Sequence, residues 1–232
     1  MNKIISFSIW GSSNCYLKTS LTNISLRPLH FPDWNLLFYI GSGVDKSLIE
    51  AISNDEYCDF VDMSAHEHDS RNSLWRFNSF FSDDVVISRD CDSLLIPKDY
   101  FLVNEWLKSD KDFHIIRDHP KHTDKILAGM CGSRNGFFKK YKNKMKKFLR
   151  DDHGWGCDQF FLNNYVYPES VSESFIHSCN LIETDLGFGK NINFQDEEYY
   201  IDKYNISKSK WGYIGKRNCR GFRSLSNDKR IK

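Results

Sequence analysis

Short apolar runs alternate with stretches of helical spacing through most of the chain, and that alternation limits the folds open to it. Ile4-Ile5-Ser6-Phe7-Ser8-Ile9-Trp10-Gly11 reads as a first strand, and residues 17–26 as a helix. Trp34-Asn35-Leu36-Leu37-Phe38-Tyr39-Ile40 is a second strand. Val44, Leu48, Ile49 and Ile52 recur at helical spacing, which makes 44–54 an amphipathic helix. Residues 59–63 are a third strand. Residues 72–82 are a further helix, with Leu74, Phe77 and Phe81 on one face. Strand and helix in alternation are the pattern of a parallel sheet. Later strands are expected at Phe113–Ile116, Ile126–Met130 and Phe175–Ser178. Helices are expected at 97–109, with Pro97 in the first turn, and from Asp158 to about Tyr165, closed by Pro168. The expected fold class is α/β, a Rossmann-like, mostly parallel central sheet with helices on both faces, in a single domain.

The 232 residues, 40% hydrophobic and 27% charged, suit one soluble globular domain with a sizeable core. A net charge of +1 argues against wholesale coating of nucleic acid. The seven cysteines are odd in number and contain no Cys-x-x-Cys pair, which argues against a zinc ribbon or a redox motif. Reduced thiols in a cytoplasm are the simplest reading. Met1–Gly11 lacks the apolar length of a signal peptide, and no run is long enough to span a membrane. Cytosol is the expected compartment, a host's cytosol if the source is viral.

Val85-Val86-Ile87-Ser88 runs straight into Arg89-Asp90-Cys91-Asp92-Ser93. Such an apolar run is a strand buried on both faces. Ligands of open α/β sheets bind beyond the carboxyl ends of the strands, where Asp90 and Asp92 would stand. Paired carboxylates suit Mg²⁺ or Mn²⁺, which take carboxylate and phosphate oxygens together. Taken alone, Asp-x-Asp equally suits a turn.

Ser73-Leu74-Trp75-Arg76-Phe77, then Arg89-Asp90-Cys91-Asp92-Ser93, then Phe113-His114-Ile115-Ile116-Arg117-Asp118-His119-Pro120 follow one another in order. Leu127–Arg134 and Asp158-Gln159-Phe160-Phe161-Leu162-Asn163 come after them. In this order the blocks resemble a small GT-A nucleotide-sugar glycosyltransferase family of bacterial, phage and giant-virus genomes, over about residues 3–180. The resemblance implies a GT-A fold, a nucleotide-diphosphate sugar donor, and Mn²⁺ or Mg²⁺ on Asp90 and Asp92. It implies Asp158 and Gln159 against the donor sugar, although Phe160 stands where retaining relatives often carry a second aspartate. It also implies a histidine completing the metal shell, for which His177 is the candidate.

The residues add their own candidates for donor contacts. Trp10 and Tyr16, at the end of the first strand, can line a base and ribose site, and Tyr16 can equally be helix packing. Arg71, Arg76, Arg89, Arg117 and Arg134 offer forked donors to a diphosphate, or solvated charges. Asp118 and His119 follow a strand and can meet hydroxyls, or form a turn before Pro120. Asp118 and Asp158 are the candidates for a catalytic base. Gly129 lets backbone approach a ligand. Asp158 can also be a plain helix cap, and His177 an ordinary histidine.

Residues 1–182 are expected to form the nucleotide-sugar and catalytic domain, and 183–232 an acceptor-side subregion with a basic tail. Seven of the twelve residues 139–150 are basic, a solvated face or a contact for an anionic surface. The expected activity is transfer of a sugar to an acceptor hydroxyl, a glycan first and modified DNA second. A nucleotidyltransferase and a non-catalytic sugar- or nucleic-acid-binding protein are the alternatives.

Overall fold

A computed structural model describes residues 1–179, 189–191 and 214–216. Its eight strands are β1 (Lys3–Ile9), β2 (Asn35–Ile40), β3 (Cys58–Asp62), β4 (Val85–Ser88), β5 (Phe113–Arg117), β6 (Cys131–Ser133), β7 (Ser174–Ser178) and β8 (Gly189–Asn191). They form one sheet in the order β3-β2-β1-β4-β6-β5-β7-β8. Every pairing is parallel except those of β6, which runs antiparallel to β4 and β5. The expected fold class, α/β with a mostly parallel sheet, is the one observed.

Apolar side chains fill both faces of the sheet, as a parallel sheet requires. On one face Val85 and Ile87 of β4 pack with Ile5, Phe7 and Phe38. That layer is covered by α1 (Asn14–His30), α2 (Lys46–Ser53) and α3 (Pro97–Leu107), which supply Leu48, Val103 and Trp106 among others. On the other face Val86 packs with Phe77, Phe113, Ile115 and Phe138. The alternation of Val85, Val86 and Ile87 between the two layers is the period of two of a strand.

Four expectations change. Residues 70–81 form a 3-10 helix (Ser70–Phe81), not an α-helix. Three residues per turn put Leu74, Phe77 and Phe80 on one buried edge, in place of the expected Phe81. Residues 126–130 are not a strand. The N–H of Ile126 goes to the Asn163 side chain and that of Ala128 to Gln159, so this backbone bonds to a helix and the ladder begins only at Cys131. The helix at Asp158 does not stop at Tyr165. It runs from α5 (Cys157–Phe161) through a π-turn (Leu162–Val166) into α6 (Tyr167–Ser170), and Pro168, which has no N–H to donate, stands just past the π-turn, near the start of α6. The basic strip divides into a 3-10 turn (Phe137–Tyr141) and a short α4 (Lys142–Phe148). Lys139, Lys140 and Lys144 pair with Asp83, Glu173 and Glu169, which supports the solvated-face reading for those three.

Five cysteines, Cys58, Cys91, Cys131, Cys157 and Cys179, are free. Burial pushes the Cys58, Cys91 and Cys131 thiols up to about 12, so they stay protonated and inert. Cys15 is disulfide-bonded, which corrects the expectation of reduced thiols throughout. Among the described residues no helix is long and apolar enough to cross a membrane. Most of the expected subregion 183–232 lies outside the described residues.

Candidate active site

A cleft of ≈ 780 Å³ opens at the carboxyl ends of β1 and β4. Trp10 and Tyr16 line it from the first strand and helix, and Asp90 and Asp92 from the turn after β4. Gly129, Asp158 and Gln159 close it from the far wall. Trp10 is set by close packing: it meets Trp75 edge-on at 6.1 Å, and a Cβ on Gly41 would come within 2.8 Å of the Trp10 Cβ.

The turn after β4 separates its residues by environment. Ser93 N–H donates to the Asp90 carbonyl at 3.1 Å, so the aspartates do sit on a turn. Cys91 is buried between the core and the cleft wall and donates to the Ser8 carbonyl. Asp90 and Asp92 face the cleft, with the Asp90 side chain 42% exposed. The backbone of Gly129 passes so close that a Cβ there would lie 2.3 Å from Asp90 Oδ2. Only glycine allows that approach.

Arg76 ties the site together. One guanidinium nitrogen donates to Asp90 Oδ1 at 2.5 Å and the other to Asp158 Oδ2 at 2.5 Å. Its backbone is held from β1, where Ser6 donates to the Arg76 carbonyl at 2.7 Å and Ser8 accepts from its N–H at 2.9 Å. Burial of Arg76 opposes its charge, yet the attraction of Asp90 and Asp158 outweighs burial and raises its pKa. Asp158 opens α5 just after Gly156, whose φ of +82° favours glycine, and its second oxygen accepts from the Gln159 N–H at 2.8 Å. It is a cleft residue in the first turn of α5, not its cap: the N-cap is Gly156, and no side chain caps the helix. Gln159 accepts from the Ala128 N–H at 3.3 Å, which joins α5 to the loop behind Gly129.

Other candidates are not brought to this cleft. Arg71 binds Asp69 and the Leu149 and Asp151 carbonyls. Arg89 is buried on Asp99, with contacts of 2.7 and 2.5 Å to its two oxygens. Arg117 donates to Ser178 and to the Lys125 carbonyl, and Arg134 to Asp112 and the Leu107 and Ser109 carbonyls. For these four the guanidinium is occupied inside the protein. His119 is not in the cleft wall, and its ring accepts from the Lys121 N–H. Asp118 is fully buried, 3.3 Å from Lys98 and hydrogen-bonded by the Ile214 N–H. Among the described residues, His122, 3.4 Å away, links it to the cleft lining. His177 is also fully buried, with its two nitrogens on His114 and Glu105, each at 2.9 Å. The expectation of His177 as a third metal ligand is corrected by that placement, since both ring nitrogens are engaged and neither faces Asp90 or Asp92.

The sequence reading missed Ser8, Ser73, His122, Asp124, Trp155 and Asn163, all of which line the cleft. Ser6 and Ser8 had a legible signal, because they alternate with Ile5, Phe7 and Ile9 in β1. The others stand in loops or helices whose placement depends on tertiary packing.

The donor set fits part of a hard cation's shell. Asp90 and Asp92 offer only oxygens, as Mg²⁺ and Mn²⁺ prefer. Among the described residues no group of three or more His, Cys, Asp or Glu side chains could hold a metal. A cation here therefore needs oxygens from a ligand or from water.

No protein-family model matches the chain, and no curated protein matches it. Solved structures do resemble it. A glycosyltransferase involved in the glycosylation of the major capsid of PBCV-1 aligns at 15% identity over 77% of this chain and 82% of that chain, with a TM-score of 0.45. An active-site mutant of LgtC aligns at 12% identity over 76% and 73%, with a TM-score of 0.45. Glucosyl-3-phosphoglycerate synthase from Mycobacterium tuberculosis, in complex with Mn²⁺, UDP and phosphoglyceric acid, aligns at 13% identity over 88% and 75%, with a TM-score of 0.48.

Proposed function

We propose that the protein is a metal-dependent glycosyltransferase of the GT-A, Arg-Asp-x-Asp-Ser kind, moving a sugar from a nucleotide-diphosphate sugar to an acceptor hydroxyl. The observation that carries this reading is the Arg76 brace between Asp90 and Asp158 in a cleft at the strand ends. Four aspartates, Asp90, Asp92, Asp124 and Asp158, face that cleft against one arginine. A diphosphate entering it meets like charge, so it must bring a cation. Asp90 and Asp92 would hold Mn²⁺ or Mg²⁺, which supplies Lewis-acid stabilisation of the leaving diphosphate.

The chain's own groups do the rest. Trp10 and Tyr16 bound the base and ribose end. Gly129 leaves room for the diphosphate beside Asp90. Asp158 accepts sugar hydroxyls and sets negative charge near the anomeric carbon, where positive charge develops. Gln159 positions the loop 126–129 through Ala128. Arg76 keeps Asp158 aimed into the cleft. The acceptor is a glycan, and the work is done in the cytoplasm.

The test is a panel of nucleotide sugars with Mn²⁺, read by release of nucleoside diphosphate. Release from one donor class, dependent on the cation and lost in Asp92→Asn, is the expected result. Release of pyrophosphate would instead make the protein a nucleotidyltransferase.

A further inference from the structure

Two aromatic side chains stand at the cleft without a part in donor binding. Trp155 is 77% exposed and Phe160 is 52% exposed, and both line the cleft. Exposed aromatics of this size next to a cleft mark recognition surfaces. The two differ in support. Phe160 is backed by Phe148, stacked at 6.2 Å and 16°, and Phe148 is itself stacked on His153 at 3.6 Å. The Phe160 N–H also donates to the Gly156 carbonyl at 2.9 Å. Its ring is therefore fixed. Trp155 stands between Gly154 and Gly156, around whose Cβ positions nothing lies within 4 Å, so its ring has room to settle on a partner.

We infer that Trp155 and Phe160 form a stacking platform for an uncharged sugar ring of the acceptor. Both the charge and the position of the platform support this choice. An aromatic face alone suits a sugar or a nucleobase. A nucleic-acid acceptor brings phosphates, and the nearby cleft lining carries four aspartates against one arginine, with no lysine. That lining repels a polyanion and tolerates a neutral ring. Asp124 and Asn164, also in the lining, offer acceptors and donors for hydroxyls. Position separates acceptor from donor. Asp158, the donor-sugar candidate, is buried, whereas Trp155 three residues earlier is the most exposed large aromatic described. A ring on Trp155 sits outward of the donor sugar, on the side from which an acceptor arrives. The word acceptor rests on the transferase reading; the sugar platform itself does not.

The experiment labels the six tryptophans of the full chain with 5-fluorotryptophan, and a Trp155→Phe variant assigns the Trp155 ¹⁹F resonance. Methyl glycosides of glucose, galactose, mannose and N-acetylglucosamine are titrated separately, beside a short oligothymidylate. UDP and GDP with Mn²⁺ are titrated on the same sample as an independent check of the transferase reading. The expected result is movement of the Trp155 resonance by at least one glycoside and none by the oligonucleotide. In Phe160→Ala the affinity of that glycoside should fall roughly fivefold, the effect of about one lost apolar contact face. In Asp158→Asn it should be unchanged. No movement with any glycoside, larger movement with the oligonucleotide, or loss of the shift in Asp158→Asn would each overturn the platform; the last would assign the ring to the donor sugar. Nucleotide binding with no glycoside shift leaves the transferase reading standing and removes only the platform. A glycoside shift without nucleotide binding keeps the platform and removes the transferase.

Discussion

Arg76 and Arg89 are both buried, both paired with aspartate at 2.5 Å, and only thirteen residues apart in the chain. They do different work. Arg89 and Asp99 close on each other, at 3% and 1% side-chain exposure. Arg76 faces two carboxylates, one of which, Asp90, is 42% exposed. Arg89 therefore holds the strand end to α3, while Arg76 holds cleft groups that a ligand can compete for. The lesson is that burial and ion pairing of an arginine do not separate structure from function, whereas exposure of its partner does.

The largest expected effect breaks or upholds that contrast. Arg89→Leu leaves Asp99 buried without its partner and should cost about 3–5 kcal/mol of stability. Arg76→Leu leaves Asp90 able to hydrate and strands only Asp158, which is 10% exposed but lines the cleft, so it should cost less by at least ~1 kcal/mol. Urea unfolding of both variants measures the difference. Equal losses would mean that the Arg76 brace is as structural as the Arg89 pair.

A smaller effect tests what the open pair is for. Two carboxylates do not fill an octahedral shell, and Asp90 is already engaged by Arg76. Mn²⁺ alone should bind weakly, and UDP should tighten it by at least ~10-fold, about 1.4 kcal/mol of coupling. Calorimetry with and without UDP reads it. Equal Mn²⁺ affinity in both titrations would detach the metal from the diphosphate.

Comparable in size is the effect of Asp158→Asn on turnover. Asn keeps an oxygen for Arg76 and for the Gln159 N–H, and Arg76 retains Asp90 as its charged partner, so the loss of stability should be smaller than in Arg89→Leu. If the carboxylate acts on charge developing at the anomeric carbon, kcat should fall at least ~10-fold, about 1.4 kcal/mol of barrier. UDP–Mn²⁺ affinity should stay the same. Full activity in the variant would reduce Asp158 to its ion pair with Arg76.

How legible this was in the sequence follows the same division. The strands of β1, β2, β4 and β5 and the turn carrying Asp90 and Asp92 could be read because period and strand-end chemistry are local. Which arginine enters the cleft could not. Arg89 adjoins Asp90 in the chain, but β4 turns its side chain toward Asp99, and Arg76 arrives from a 3-10 segment on the opposite face. The strand expected at 126–130 failed for a related reason. Its apolar composition was genuine, but its N–H groups are taken by Gln159 and Asn163, residues more than thirty positions away. His177 failed because β7 lies beside β5, which sets its ring on His114 of that strand rather than at the aspartates.

That histidine pair gives the smallest expected effect and places it on the closed side of the molecule. His177 donates from Nε2 to Glu105 and accepts at Nδ1 from His114 Nε2–H, a tautomer assignment set by the carboxylate at one end of the chain. Trp106 stacks on His114 at 5.0 Å. Burial first, then the charges of His177 and Arg89, lower the His114 pKa well below its ordinary value. A histidine whose folded pKa is depressed stays neutral where the unfolded chain takes up a proton. Its contribution is therefore fully present above about pH 6.5, the unfolded value, and is lost as pH falls toward the folded one. Stability should decline below about pH 6.5 with a slope from this group of at most ~1.4 kcal/mol per pH unit. His114→Gln keeps a donor near the Nε2 position and cannot titrate, so it should flatten that decline in Tm between pH 7 and 5.5. An unchanged pH dependence in the variant would remove His114 from the acid response and leave the carboxylate pairs to account for it.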